Sequence, residues 1–327
     1  MTTINLSAGG IFMRLSLVIP CFNEENNVVA FFNETQRVFS ALPFDYEYVF
    51  VNDGSRDATE KNLKALFEQN RDANIKVINF SRNFGKESAI YSGLENAEGE
   101  LTCIIDADLQ QRPEVVLEML SELDKDESID CVCAYQSERK ESKAVSSMKE
   151  AFYSLINRFS ETEFVRDASD FRLFRRNVKQ AVLSLTEYHR FSKGIFSWVG
   201  FNVKYIPYEV MERNDGESKW SLKKLFRYAF GGIMSFTDFP LKLAAVLGAV
   251  SVAAALVYAL VEIIRIAVGS AAVSSVVLAV ILLLLIGGAQ LIATGIVGMY
   301  LSRVYAQTQN RPICIVKSIL KREEEKK

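Results

Sequence analysis

Two carboxylates one residue apart, Asp106 and Asp108, close a short apolar run in the stretch IIDADLQQRP, Ile104 to Pro113. In an extended strand alternate side chains share a face, so the pair would point into one spot just past the strand's end, with Gln110 continuing that face. Two carboxylates and an amide oxygen are hard donors, suited to a Mg²⁺ or Mn²⁺ that keeps positions open for the oxygens of a diphosphate. Taken alone, a D-x-D turn is weak evidence, because many loops carry one by chance. Its neighbours must decide.

Those neighbours are a series of strands that end in polar clusters. Leu15 to Ile19 is a strand stopped by Pro20 and followed by Asn23-Glu24-Glu25, after which an amphipathic helix runs to about Phe39. Tyr46 to Val51 is a second strand ending in Asn52 to Asp57, with a helix over Thr59 to Gln69. Ile75 to Phe80 is a third, followed by Arg82 to Lys86 and a helical stretch to about Ala97; Leu101 to Ile105 is the fourth and carries the two aspartates. Strands alternating with helices argue for an α/β fold with a mostly parallel sheet, and ligands of such sheets bind outside the carboxyl ends of the strands. Turn chemistry alone explains Gly54 and Asp57. It does not explain why all four turns hold acids, amides or bases.

Composition narrows the class. A net charge of -2 argues against a nucleic-acid binder, which would carry a basic footprint. The five cysteines sit mostly in apolar runs without C-x-x-C spacing and read as reduced, buried thiols; a single histidine, His189, excludes any scheme needing a His cluster. At 49% hydrophobic residues and mean hydropathy +0.09 the chain is apolar for a wholly soluble protein. The excess is concentrated near the C-terminus.

Leu243 to Val261 and Ile266 to Ser302 are free of charge, both beyond the roughly 18 apolar residues of a spanning helix. Basic residues precede the first run and follow the second, while the connecting turn offers only Arg265, so both ends are expected in the cytoplasm. The start of the chain has no basic-then-apolar pattern of a cleaved signal, and is read as cytoplasmic. Upstream, Glu114 to Leu123 is expected as a helix, Asp130 to Tyr135, Asp170 to Phe174 and Val203 to Pro207 as strands, the last at an edge. Lys143 to Arg158 is a basic amphipathic helix that fits a protein core or a membrane surface equally, and Trp220 to Phe236 reads as an interfacial helix. Arg311 to Val316 is a β-prone run that either pairs with a sheet edge of the same or a neighbouring subunit or stays unstructured. The resulting divisions are 1–218, 219–240, 241–302 and 303–327.

The ordered motifs VIPCFNEE (from Val18), VNDGSRDAT (from Val51), SRNFGKESA (from Ser81), DADLQ (from Asp106), DFRLF (from Asp170), RFSKG (from Arg190) and GESKW (from Gly216), with two apolar helices after them, resemble the polyisoprenyl-phosphate glycosyltransferases of family 2. That family has the GT-A fold, a Rossmann-like cytoplasmic domain, here followed by interfacial helices and two transmembrane helices. The resemblance implies a multi-pass protein of a bacterial inner membrane that moves one sugar, with inversion, from a nucleotide sugar, a UDP-sugar such as UDP-glucose, to a polyisoprenyl phosphate. It implies Mg²⁺ or Mn²⁺ on Asp106, Asp108 and Gln110, donor contacts from Pro20, Asn23, Glu24, Glu25, Asp53, Lys86, Asp106 and Gln110, and catalytic roles for Asp170 and Asp108. Cations for the acceptor phosphate would be Arg172, Lys193, Arg213 and Lys219, and a homo-oligomer is compatible with it. The chain departs from the family pattern at Gln111-Arg112, where an acid and a proline are usual, and at Val210 and Gln136, where arginines are usual. Other classes are a processive polysaccharide synthase, which needs more spans and a Q-x-x-R-W segment, and a non-catalytic nucleotide-sugar-binding scaffold, which would be expected to lose the D-x-D.

Overall fold

The computed structural model describes residues 15–40, 42–136, 157, 168–209, 239–268 and 275–322. The described residues form two compact units, one of 15–136, 168–209 and 312–322, the other of 157, 239–268 and 275–311.

In the first unit the buried apolar runs become strands β1 (Leu15–Cys21), β2 (Tyr46–Asn52), β3 (Asn74–Phe80) and β4 (Leu101–Ile104), alternating with α1 (Val28–Phe39), α2 (Thr59–Gln69), α3 (Lys86–Asn96) and α4 (Pro113–Lys125). There follow β5 (Cys131–Gln136), β6 (Ala168–Arg175), α5 (Arg176–Ser184), α6 (Ser192–Trp198) and β7 (Val203–Tyr208), and later β8 (Val316–Leu320). All eight strands lie in one sheet of order β7-β5-β6-β4-β1-β2-β3-β8. The strands β1 to β4 run parallel, as their unbroken burial and βα alternation require. Only β6 and β8 run against the rest. The expectation of an α/β fold with a mostly parallel sheet holds.

Small departures from the expected boundaries have local causes. Pro20 does not end β1, which continues to Cys21. The β1–β4 ladder has already stopped at Val18 opposite Ile104, so no bond on that side is lost to the missing proline N–H. β4 ends one residue early, at Ile104, and the Ile105 N–H makes the last ladder bond, to the Val18 carbonyl. Val203–Tyr208 pairs only with β5, an edge position that tolerates Pro207. The tail pairs with the β3 edge of its own chain, and the strand lies slightly later than the Arg311–Val316 run, with Ile315 accepting a bond from Ser81 N–H. Asn79 Nδ2 reaches Ser318 Oγ at 3.2 Å, and Arg322 caps the carboxyl end of α2 by donating to the Phe67, Asn70 and Ala73 carbonyls.

Helix α3 lies tight on the sheet. A Cβ on Gly93 would meet Val18 Cγ1 at 2.3 Å, so only glycine lets the helix settle there. The opposite face of the sheet buries Phe31, Phe50, Phe171 and Leu173 with the helices α1 and α4 in one apolar cluster, each large side chain contributing about 1.5–3 kcal/mol.

In the second unit α7 (Phe239–Ala267) and α8 (Ser275–Thr308) pack on each other, and Pro240–Arg265 and Leu285–Thr308 are long and apolar enough to cross a membrane. The charge-free runs are shorter than the helices, and the sequence places the turn between the spans at Gly269 to Ser275, in keeping with a first helix that ends at Ala267 and a second that starts at Ser275. Outward apolar side chains such as Leu256 and Leu291 are exposed along both. The amphipathic stretches Lys143 to Arg158 and Trp220 to Phe236 lie outside the described residues, apart from Asn157.

One polar cluster sits inside the amino-terminal edge of the sheet. Glu47, fully buried, accepts from Ser16 Oγ at 2.6 Å and from Glu98 N–H at 2.7 Å, and lies 3.4 Å from Lys76 Nζ, which also donates to the Asn96 carbonyl. This pins the loop that feeds β4. Lys76→Met leaves a buried carboxylate without its ammonium and should cost about 3–5 kcal/mol in chemical denaturation followed by circular dichroism; adding Glu47→Gln should recover more than half of the loss.

Candidate active site

The four polar loops converge at the carboxyl edge of the parallel strands, and the first two are stitched to each other. Asn23, held at φ 55°, donates its N–H to Ser55 Oγ and accepts Arg56 N–H on its side-chain oxygen, both at 3.0 Å. Glu24 N–H reaches Thr59 Oγ1 at 2.8 Å, and Glu25 accepts Ala58 N–H at 2.8 Å while its own N–H reaches Asp57. Asp53, buried, accepts Phe84 N–H at 2.6 Å and Gly85 N–H at 2.9 Å, one on each carboxylate oxygen. Burial pushes its carboxyl up, and those two amides oppose the shift. Next to it Gly54, at φ 61°, lies so close to the Arg82–Asn83 backbone that a Cβ would sit 2.3 Å from the Arg82 carbonyl carbon. Asn23, Glu24, Glu25 and Asp53, singled out in the sequence for donor contact, thus have a visible structural task. They fix the loops' shape, and Pro20 lies in β1 beneath them.

Asp106 and Asp108 sit past the end of β4, both part-exposed on either side of the buried Ala107. The alternation that would carry Gln110 onward ends at Leu109, whose φ of 58° turns the chain; Gln110 N–H donates to Asp108 Oδ1 at 3.1 Å and closes that turn. The amide that touches the first aspartate is instead Gln111. Buried, it accepts Asp106 N–H at 2.9 Å and donates to Asp106 Oδ2 at 3.3 Å. The departure from the family pattern is therefore a side chain that fixes Asp106 in place.

Because β6 runs against β4, its amino-terminal end lies at the carboxyl edge. Arg172 pairs with Ile104, and two steps along Asp170 comes beside Asp106. Lys86, in the first turn of α3, bridges the two carboxylates, with Nζ 2.7 Å from Asp106 Oδ1 and 3.4 Å from Asp170 Oδ2. Burial works against the Lys86 ammonium, but the Asp106 and Asp170 carboxylates outweigh it and hold its pKa above the ordinary lysine range. Burial likewise pushes the Asp170 carboxyl up, yet Lys86, Lys193 and Arg172 together hold it below its ordinary value. Asp170 is ionised at neutral pH and is a weak base.

Arg172, buried, stacks over the Phe196 ring at 4.2 Å and donates to the Ser169 carbonyl at 2.8 Å. Its Nε and the Asp170 Oδ1 are buried without a hydrogen-bond partner among the described residues. Both atoms are exceptions to the pairing of buried polar groups. Lys193 on α6 completes the group, its ammonium shifted down by burial and by Arg172 and Lys86 against the pull of Asp170. Arg213 and Lys219 lie outside the described residues. One residue absent from the sequence reading belongs here: Glu87, beside Lys86, accepts both the N–H and the hydroxyl of Ser192.

Among the described residues no three His, Cys, Asp or Glu gather around one point. The Asp106–Asp108 pair nonetheless fits a divalent ion that takes its remaining ligands from a diphosphate. Its donors are hard oxygens on a turn, and Asp106 already collects a cation on both carboxylate oxygens.

The Asp53 clamp is directly testable. The two amides go to different carboxylate oxygens, and Asp53→Asn turns one of those oxygens into an NH₂ donor, so one buried N–H should be left unpaired at about 1–3 kcal/mol. Amide exchange of the Ser81–Lys86 segment should quicken by roughly tenfold or more, read by mass spectrometry, while peptides from β5 and β6 stay unchanged.

Residues 16–183 match the family model described as glycosyl transferase family 2. The chain is 34% identical to a prophage bactoprenol glucosyl transferase homolog of Escherichia coli (strain K12), over 94% of this chain and 100% of that one. It is 36% identical to the bactoprenol glucosyl transferase of Shigella phage SfII, over 93% and 98% respectively. Among solved structures it is similar to glucosyl-3-phosphoglycerate synthase from Mycobacterium tuberculosis in complex with Mn²⁺, UDP-glucose and phosphoglyceric acid, at TM-score 0.45 and 17% identity, covering 68% of this chain and 78% of that one. Mannosyl-3-phosphoglycerate synthase from Rubrobacter xylanophilus gives TM-score 0.47 at 16% identity, covering 68% and 72%. Matched by that family model over residues 16–183 and by these relatives over nearly their whole length, the chain belongs to glycosyl transferase family 2.

Proposed function

We propose that this transferase moves a single sugar, with inversion, from a UDP-sugar to a polyisoprenyl phosphate at the cytoplasmic leaflet of a bacterial inner membrane, with α7 and α8 as its membrane spans. The observation that carries the reading is the Lys86 bridge, which gathers the Asp106 turn and Asp170 on the sheet edge beside buried, incompletely paired Arg172. The bactoprenol glucosyl transferase names of the relatives support the lipid acceptor, and the exposed apolar surfaces of α7 and α8 support a site that works at a bilayer.

In this reading Asp106 and Asp108 hold Mg²⁺ or Mn²⁺. When bound, the ion offsets the charge that develops on the leaving diphosphate. Gln111 keeps Asp106 in register, and the stitched loops around Asn23, Glu25 and Asp53 shape the nucleoside side of the pocket. Lys86 is placed to follow negative charge from the carboxylates toward the diphosphate. On the other side Arg172, Lys193, Arg213 and Lys219 supply positive charge for the acceptor headgroup. The acceptor is a phosphomonoester, whose second pKa near 6 leaves it mostly ionised at neutral pH. It needs little help in losing a proton, and an Asp170 held below its ordinary pKa could give little. Asp170 instead orients the cations and keeps them from neutralising the nucleophile too completely.

The direct test is the full-length protein in lipid nanodiscs with radiolabelled UDP-glucose, Mg²⁺ or Mn²⁺ and undecaprenyl phosphate. Label should pass into the organic phase, and a screen of UDP-sugars identifies the sugar. Failure of every donor would favour a nucleotide-sugar-binding scaffold. Asp106→Asn and Asp108→Asn should each lower kcat by about 10²–10³. For Asp170→Asn, kcat/KM should still rise with the ionisation of the acceptor near pH 6; loss of that limb, with acceptor binding intact, would restore Asp170 as the base.

A further inference from the structure

We infer that Glu87 is a positioning residue for the acceptor phosphate, acting through Ser192 to fix the short helix that carries Lys193. The inference rests on the acceptor side of the function proposed above. Glu87 stands next to Lys86 in the first turn of α3, so one turn of one helix serves both halves of the site. Lys86 reaches Asp106 and Asp170, while Glu87 reaches a segment 105 residues further along the chain.

The geometry of that contact is specific. A single carboxylate oxygen, Oε2, accepts the Ser192 N–H at 2.9 Å and the Ser192 hydroxyl. Ser192 is the first residue of α6, and the residue before it, Phe191, offers no side-chain cap, so Glu87 satisfies from outside a helix-terminal amide that the helix itself leaves open. Lys193 follows directly and sits beside Asp170. One turn later Phe196 packs on Phe174 at 5.0 Å and carries the Arg172 guanidinium on its ring. A second tie runs alongside, where Arg190 lies 4.6 Å from the Tyr91 ring of α3.

If the Glu87–Ser192 contact loosens, Lys193 and the ring under Arg172 shift together. Lys86, held by its own carboxylates, does not. The burden should therefore fall on the acceptor and spare the donor. Burial first, and Asp170 second, push the Glu87 carboxyl up to about 7, so glutamine is a close stand-in that keeps an accepting oxygen.

The experiment compares Glu87→Ala, Glu87→Gln and Ser192→Ala with the unaltered full-length protein in nanodiscs, by steady-state transfer with donor and acceptor varied separately, and by amide exchange over 191–198. Transfer by the unaltered protein comes first; its absence with every donor overturns the acceptor reading itself and this role with it. Given transfer, Glu87→Ala should raise the KM for undecaprenyl phosphate by about tenfold, a cost in keeping with a small misplacement of a binding group. The donor KM should change less than twofold. Exchange over 191–198 should quicken in Glu87→Ala and partly in Ser192→Ala, with Glu87→Gln restoring both readouts to within about threefold. An unchanged acceptor KM in Glu87→Ala, or equal rises in donor and acceptor KM, overturns the inference. Should Glu87→Ala fail to fold, Ser192→Ala with normal exchange and normal acceptor KM overturns it equally.

Discussion

Everything around the site depends on one ammonium between two carboxylates. Lys86 touches Asp106 from one strand and Asp170 from another, and each of the three comes from a different part of the chain. Carboxylates so placed repel one another, and Asp170, the most enclosed of the three groups, also needs an opposite charge to offset its desolvation. The lysine removes both problems. Its own position is set in turn by Gly93, which lets α3 settle onto β1, and by Asp53, which ties down the loop leading into the helix.

The reversed strand β6 is the second requirement. In a sheet whose strands all ran one way, the amino-terminal residue of the strand after β5 would lie at the far edge, a full strand length from Asp106. Antiparallel pairing folds Asp170 back to the edge where the other loops end. It also sets Arg172 on the same face, under α6.

Much of this was legible in the residues and some was not. The parallel half could be read because each strand is an apolar run closed by turn chemistry, and Asp106 and Asp108 announce themselves by spacing alone. The direction of β6 could not, since DFRLF reads the same whichever way the strand runs. Gln111 was missed as the partner of Asp106 because strand alternation was carried past the point where Leu109 turns the chain. The helices α5 and α6 are too short for periodicity to declare them. Glu87 was silent for a different reason: an acid in the first turn of a helix is ordinary dipole chemistry, and only the fold reveals Ser192 as its partner. Asn23, Glu25 and Asp53 were noticed for their chemistry, and the structure adds that they are also the joints of the loops.

The strand β8 has a consequence in time. Its partner β3 is made early, but Ser318 lies 239 residues beyond Asn79. A chain synthesised from its amino end at ~5–20 residues per second must therefore carry an open sheet edge while both apolar helices are made. Such an edge is a template for pairing with other strands. The last strand to leave the ribosome is thus the one that closes it, and the sheet is finished only once the helical hairpin already exists.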